Sequence, residues 1–276
     1  MASHHSPNTR SPEPHGHAHQ SPHAHQPPHA AQPPHAAQLP QQQQQMAAPA
    51  PNFSSACPPG LEYLCYLDQM IIKQRVELFE AVVGFETQNK YVACNTQGQN
   101  VYYLAESSGL CTRCCCNQSR CFEMHAWDSQ HQAVMRFVRP LRLQSNYRGC
   151  CCCGLQEVAV EAPPDEAIGF VYEECSFCRP SFTINDKTGK PVARVQGPCI
   201  TRSLPCACDV KFAVRTMAGT DIGIITKQWS GMVKEMFTDA DTFSVTFPID
   251  LDVCAKASIL ACAILIDYMF FEDTSK

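Results

Sequence analysis

Between residues 76 and 225 the chain is broken into short apolar segments separated by turn residues. They fall at residues 76–83, 91–94, 101–104, 134–138, 158–160, 168–172, 182–184, 192–195, 212–214 and 222–225. Asn-x-x-Gly and Lys-x-Gly steps, as at Asn95 to Gly98 and Lys187 to Gly189, punctuate several of them. Many short strands at such spacing argue for an all-β sandwich or barrel. Helical periodicity is largely absent until residues 228–237 and a final apolar run.

Residues 1–56 carry nine of the eleven histidines, a run of five glutamines from Gln41 to Gln45, and almost no large apolar side chains. A stretch of this kind cannot bury enough surface to offset backbone ordering, so a disordered tail is expected. A hexapeptide, Gln-Pro-Pro-His-Ala-Ala, occurs twice in tandem from Gln26 and from Gln32. No Pro-x-x-Pro or Pro-Pro-x-Tyr ligand accompanies it, and a solvated linker is the reading adopted over a metal-binding histidine tract. Residues 57–276 remain for one large domain with its own core.

All nineteen cysteines lie at or beyond Cys57, several as immediate neighbours. Adjacent thiols make poor material for separate intramolecular bridges. Residues 1–30 lack the apolar core of a signal peptide. A reducing compartment is therefore expected, with the thiols put to another use. The formal net charge is −5, carried by the segment from Lys234 to Lys276 with three lysines and eight acids. An acidic end beside an apolar run suits a cation better than a phosphate backbone, which argues against nucleic acid as partner. No G-x-x-x-x-G-K-[ST] loop and no catalytic dyad stand out, so the expectation is not an enzyme.

The final apolar run, residues 251–271, is rich in alanine and leucine without glycine or proline, and should be helical. At 1.5 Å per residue it spans about 32 Å, roughly one hydrocarbon thickness. Its key positions are Leu251, Ile259, Leu260, Ile264, Leu265, Ile266, Asp267, Phe270 and Phe271. The uninterrupted apolar part is only Ala257 to Ile266, and Asp267, which ends it within the run, would cost a few kcal/mol at a bilayer centre. Two readings compete: a single membrane span, or a helix buried in a protein core.

At residues 58–64 the chain reads Pro-Pro-Gly-Leu-Glu-Tyr-Leu. Further motifs follow in order: Gly84-Phe-Glu-Thr87, Cys111-Thr-Arg113, Arg139-Pro-Leu141, Leu155-Gln-Glu157, Ala162-Pro-Pro164, Gly197-Pro-Cys199, Phe237-Thr-Asp-Ala-Asp241 and Ile266-Asp-Tyr-Met-Phe-Phe-Glu272. Together they resemble the phospholipid scramblase family. The resemblance implies a tubby-like fold, a closed antiparallel barrel of about twelve strands around the hydrophobic C-terminal helix. It also implies calcium-stimulated, ATP-independent, bidirectional movement of phospholipids. Membrane phospholipids would be the partners, with protein partners and a homo-oligomer as further expectations. The expected setting is the cytoplasmic face of the plasma membrane, as a single-pass protein with a cytoplasmic N-terminus if the last helix spans. The nucleus is a lesser site, for unlipidated protein. In an oligomer, Asp267 would face a groove for headgroups.

The resemblance assigns calcium to residues 239–250, where Asp239, Asp241, Phe243, Val245, Phe247 and Asp250 hold the ligand positions of a twelve-residue loop. An EF-hand closes with a bidentate Glu and turns on a central Gly, whereas this segment has Asp250 and Ser244. Phe243, Val245 and Phe247 alternate with Thr242, Ser244 and Thr246, as in a half-buried strand. The compromise expectation is a weak calcium site at Asp239 and Asp241, in a turn before that strand. Family members also carry a palmitoylated cluster where this chain has Cys150, Cys151, Cys152 and Cys153, flanked by glycines. Several acyl chains anchor stably where one does not. Zinc ligand spacing occurs at Cys111/Cys114 and at Cys175/Cys178, but the pairs lie far apart without a finger pattern, and zinc is not expected. Residues 223–231 align with a nuclear import segment of some relatives, yet hold one basic residue, Lys227, and read as a strand.

Overall fold

The computed structural model describes residues 57–74, 89–107, 121–142, 154–176, 178–199, 201, 208–228 and 241–271. Outside them lie the tail 1–56, the segment 76–83, the pair Cys111/Cys114, Asp239, and the thiols Cys150, Cys151, Cys152 and Cys153. The helical stretch expected over 228–237 also lies outside them, except Gln228, which ends a strand.

The described residues form twelve strands: β1 (Gln69–Gln74), β2 (Lys90–Cys94), β3 (Asn100–Glu106), β4 (Phe122–Trp127), β5 (Ala133–Arg139), β6 (Glu157–Glu161), β7 (Ala167–Glu173), β8 (Ser181–Asp186), β9 (Pro191–Gln196), β10 (Val210–Thr216), β11 (Asp221–Gln228) and β12 (Thr242–Thr246). Each pairs antiparallel with its sequence neighbours, and β1 pairs β12 to close the barrel. Closure leaves no sheet edge. Inward and outward residues alternate along the strands, most regularly in β4, where Phe122, Met124 and Ala126 are buried and Glu123, His125 and Trp127 less so. A short 3-10 helix, Glu62–Tyr66, precedes β1.

The barrel is filled by one helix, α1 (Val253–Phe270), buried continuously from Ala255 to Met269 and packed against β6, β7, β8 and β12. The reason is geometric. Eight strands enclose a lumen that side chains can fill, whereas twelve leave a bore wide enough for a helix of about 10 Å. Such a helix has no solvent face, so its apolar residues run all round it. Ile259, Leu260, Ile264, Leu265 and Ile266 are at most 1 % exposed, and each such side chain contributes about 1.5–3 kcal/mol. Gly169 lets β7 approach: a Cβ there would stand 2.5 Å from Ser258 Oγ. Of the two readings of the terminal run, the barrel core is the one seen. The helix is also shorter than the run. Asp252 caps it by accepting from Ala255 N at 3.1 Å, leaving Leu251 before it, and Phe271 stands at its C-cap.

Near the start of α1 a lysine is fully enclosed. Lys256 Nζ donates to the carbonyls of Leu64 (2.9 Å), Leu67 (2.8 Å) and Ile249 (2.8 Å), and lies 5.1 Å from the Phe247 ring centroid. Three donors meet three acceptors, which is how a buried ammonium is tolerated. Burial still pushes its pKa below the ordinary lysine value, opposed by Cys65, Asp250 and Asp68.

Burial pushes the Cys262 thiol well up from the ordinary 9.0. It also raises Cys254 to about 11, with Asp252 adding to the shift. A folded state that keeps these protons is favoured fully below pH 9, and that contribution is lost as pH climbs above 9, where the unfolded chain ionises. Stability should therefore fall above pH 9, by up to about 1.4 kcal/mol per pH unit for each fully protected thiol. Lys256 opposes this, because a depressed ammonium makes stability rise with pH up to its ordinary value of 10.5. The check is urea unfolding of the wild type and Cys262→Ala at several alkaline pH values. The variant should show the shallower decline, and equal slopes would remove the thiol from the explanation.

Candidate functional site

Antiparallel closure gives the barrel two unlike ends. At one, five hairpin connections have only four or five residues each: 95–99, 128–132, 162–166, 187–190 and 217–220. At the other, six connections run to between seven and seventeen residues: 75–89, 107–121, 140–156, 174–180, 197–209 and 229–241. Fourteen of the nineteen cysteines fall in the long connections and none in the short ones. Cys150, Cys151, Cys152 and Cys153 belong to the connection after β5, and Asp239 and Asp241 to the one before β12. Arg142 and Gly154, the described residues on either side of the four thiols, thus stand at the same end of the barrel as Asp241.

The neck of the cysteine connection is clamped. Arg139, 1 % exposed at the end of β5, donates from Nε (2.9 Å) and Nη2 (2.7 Å) to Gln156 Oε1. Gln156 Nε2 in turn donates to Arg142 O at 3.1 Å and Gly154 O at 2.7 Å, tying the outgoing strand to the returning one. Arg142 closes a second tie, Nη1 to Leu155 O at 3.2 Å and Nη2 to Glu157 at 2.6 Å. The backbone N–H of Gln156 donates to Glu173, whose carboxyl is raised by burial. The motifs Arg139-Pro-Leu141 and Leu155-Gln-Glu157 are two halves of this clamp. They hold together Arg142 and Gly154, the described residues that bracket the four thiols in sequence.

At the start of β12, Asp241 pairs with the ammonium of Lys227, which also lies 4.8 Å from the Phe271 ring centroid and 5.9 Å from that of Phe243. Asp241 O accepts from Gln74 N at 2.8 Å. From there polar contacts run inward: Gln74 Nε2 donates to Asn89 Oδ1 (3.1 Å), and Asn89 Nδ2 to Glu106 Oε2 (3.1 Å). The same Glu106 oxygen accepts from Tyr268 Oη of α1 at 2.7 Å. The Tyr268 ring lies 4.3 Å from Phe122, over which the Arg139 guanidinium sits at 5.8 Å. A continuous set of contacts therefore connects the Asp241 strand, the C-terminal turn of α1 and the clamp.

Phe243 and Val245 stand in β12 with their neighbours on both sides, Ile72 and Met70 of β1, and Lys227 and Ile225 of β11. Their side chains face the core, and Phe247 N donates to Asp68 O at 2.9 Å. A twelve-residue cation loop is not formed here. The five-residue strand, about 17 Å long at ~3.4 Å per residue, separates Asp241 from the exposed Asp250, so one ion cannot take both. Among the described residues no three His, Cys, Asp or Glu side chains converge on a common point.

Asp267, expected in a groove between copies, is instead 1 % exposed within one chain and accepts from Tyr91 Oη at 2.6 Å. Lys256 and the Glu106 network were not singled out from the sequence. The signal for Lys256 is in plain view, since a cation inside an apolar run must find acceptors or leave the interior. Glu106 carries no such signal, because it ends an ordinary strand.

Residues 46–273 match the family model described as Scramblase. The chain is 45% identical over 232 residues to "Phospholipid scramblase 2" of Bos taurus, covering 83% of this chain and 76% of that one. It is 45% identical over 228 residues to "Phospholipid scramblase 1" of Homo sapiens (82% and 70%) and 39% identical over 237 residues to "Phospholipid scramblase family member 5" of Homo sapiens (84% and 85%). A solved structure of an Arabidopsis thaliana protein overlaps 74% of this chain and 96% of its own at TM-score 0.39 and 11% identity, too weak a likeness to carry an argument. With a family model spanning most of its length and relatives at this identity, the chain belongs to the scramblase family.

Proposed function

We propose that this chain moves phospholipids between membrane leaflets, in both directions and without ATP, when calcium rises. The observation that carries the proposal is the 45% identity, over 228 residues, to a protein named a phospholipid scramblase. The barrel adds an orientation. Because the connection that carries them leaves and re-enters the barrel at the long-connection end, palmitate on Cys150, Cys151, Cys152 and Cys153 would hold that end against the bilayer. Since α1 occupies the lumen, the lipid path in this proposal follows the acylated face rather than the barrel interior.

Calcium would act at Asp239 and Asp241 on the same face. Asp241 is already engaged by Lys227, so the ion must displace an ammonium, which suits a weak and therefore switchable site. Purified, acylated protein in liposomes labelled with fluorescent phospholipid tests this by the fraction of probe quenched from outside. Calcium should carry quenching past the outer-leaflet fraction with no ATP present. Asp239→Ala with Asp241→Ala should abolish the calcium response. Lys227→Gln should lower the calcium needed by about threefold, by freeing a carboxylate. An unchanged response in the double alanine variant would remove calcium from this site.

The enclosure of α1 favours a second reading, a palmitoylated membrane-tethered binding or signalling module with little or no scrambling activity, nuclear when unlipidated. A barrel already filled offers its surface, and the long connections in particular, for partners. Liposomes that hold the protein but show no lipid movement in any calcium concentration would select this reading.

A further inference from the structure

Two of the long connections bring a pair of exposed thiols together. Cys178, before β8, donates its S–H to Cys199 Sγ, after β9, with the sulfurs 2.8 Å apart and both residues present as thiols. The neighbouring Arg179 guanidinium also bonds the Cys199 sulfur. Cys199 lines an open groove of about 510 Å³ whose other walls include Arg179, Lys211, Arg215 and Gln196. Arg215 is partly neutralised by Asp221 at 2.6 Å, while Lys211 is exposed to solvent. A nucleophilic sulfur thus stands at the edge of a basic groove, with a second sulfur in contact behind it.

We propose that Cys199 and Cys178 form a thiol–disulfide exchange site that takes small anionic disulfides, the class to which oxidised glutathione belongs. The Cys199 thiolate attacks one sulfur of the small disulfide, forming a mixed disulfide and expelling one thiolate. Cys178 loses its proton and attacks the Cys199 sulfur of that intermediate. The Cys178–Cys199 bond forms as the second small thiolate leaves. Two protein thiols are oxidised, one small disulfide is reduced, and the two protons released go to the two departing thiolates. Hydrogen bonds from the Cys178 thiol, and then from the Arg179 guanidinium, hold Cys199 below the ordinary thiol pKa, which favours it as the attacking group. The carboxylates of the incoming molecule would be met by Arg179 and Lys211, whose charge-assisted bonds suit that geometry. The product ties the β7–β8 connection to the β9–β10 connection at the end where the proposed membrane contact lies.

The test treats the reduced full-length chain with oxidised glutathione near neutral pH, followed by alkylation and non-reducing peptide mapping. The first protein disulfide formed should link Cys178 to Cys199. In Cys178→Ser the reaction should stop at a glutathione adduct on Cys199. Cystamine, a disulfide bearing amines where glutathione bears carboxylates, should react at Cys199 about tenfold more slowly, and Arg179→Gln should narrow that difference. Both sulfurs are exposed, and melting curves of the serine variants should match the wild type. Oxidation spread evenly over the other cysteines would overturn the proposal, as would equal rates for the two disulfides. So would a zinc ion found on the pair by native mass spectrometry and blocking its oxidation.

Discussion

Lys256→Ala should lower stability by about 3–5 kcal/mol, as much as truncating a fully buried phenylalanine of the barrel interior. Three carbonyl groups lose their shared donor at once. That of Leu64 is enclosed, while those of Leu67 and Ile249 stand nearer solvent and recover part of the loss through water. The ammonium's own desolvation is relieved in the variant, which keeps the estimate below the sum of three broken bonds. For a domain of this size the melting temperature should drop by about 6–20 °C. Lys256→Met retains the apolar stem and isolates the hydrogen bonds, with an expected loss of about 2–3 kcal/mol. Thermal melts followed by near-ultraviolet circular dichroism read both. A methionine variant that melts with the wild type would mean that the lysine fills space but does not tie the 3-10 helix and the β12–α1 turn to the core.

Replacing Cys150, Cys151, Cys152 and Cys153 together by serine should move the protein from the membrane fraction to the soluble one. Each buried methylene of an acyl chain adds about 0.8 kcal/mol of membrane affinity, so losing several chains changes partitioning by orders of magnitude. A single Cys→Ser substitution should do little, because the remaining chains still anchor. Hydroxylamine, which cleaves thioesters, should release the wild type and have no further effect on the quadruple variant. The prediction depends on where α1 is. A helix buried from Ala255 to Met269 inside the barrel cannot also serve as the membrane span. If the quadruple variant resists alkaline extraction from membranes, α1 has left the barrel for the bilayer, and anchorage by cysteine fails as an explanation.

The barrel was legible in the sequence because its strands are short and its turns are marked. Nine of the ten apolar segments read from the chain coincide with β2, β3 and β5 to β11. The tenth, residues 76–83, lies outside the described residues. Two strands escaped, for a physical reason. β1 carries the short apolar run Met70-Ile71-Ile72, but no glycine or proline stands between Leu61 and Val83 to set it off as a separate strand. β4 presents Glu123 and His125 outward, so it shows no apolar run of three. The strand character of residues 242–246 was visible in their alternation, which outweighs the superficial spacing of a cation loop. Side chains that act across the fold were harder to see. Gln156 gives no hint that it joins Arg142 O to Gly154 O, because that bond depends on two strands meeting in register. Asp267 was noticed as a charge in an apolar run, but its partner Tyr91 stands 176 residues away.

The order in which the pieces are made has a cost during synthesis. β1 closes onto β12, and Gln69 and Ser244, which bond across that seam, are 175 residues apart. At about 5–20 residues per second, the first strand waits on the order of 10–35 s for its partner. The helix that fills the lumen is translated later still, after every strand. Until it arrives the nascent sheet has a greasy inner wall and two unpaired margins, the state in which chains stick to one another. Withholding chaperones that hold nascent β-rich chains should therefore lower its yield in cell-free synthesis while leaving the melting temperature of the folded fraction unchanged.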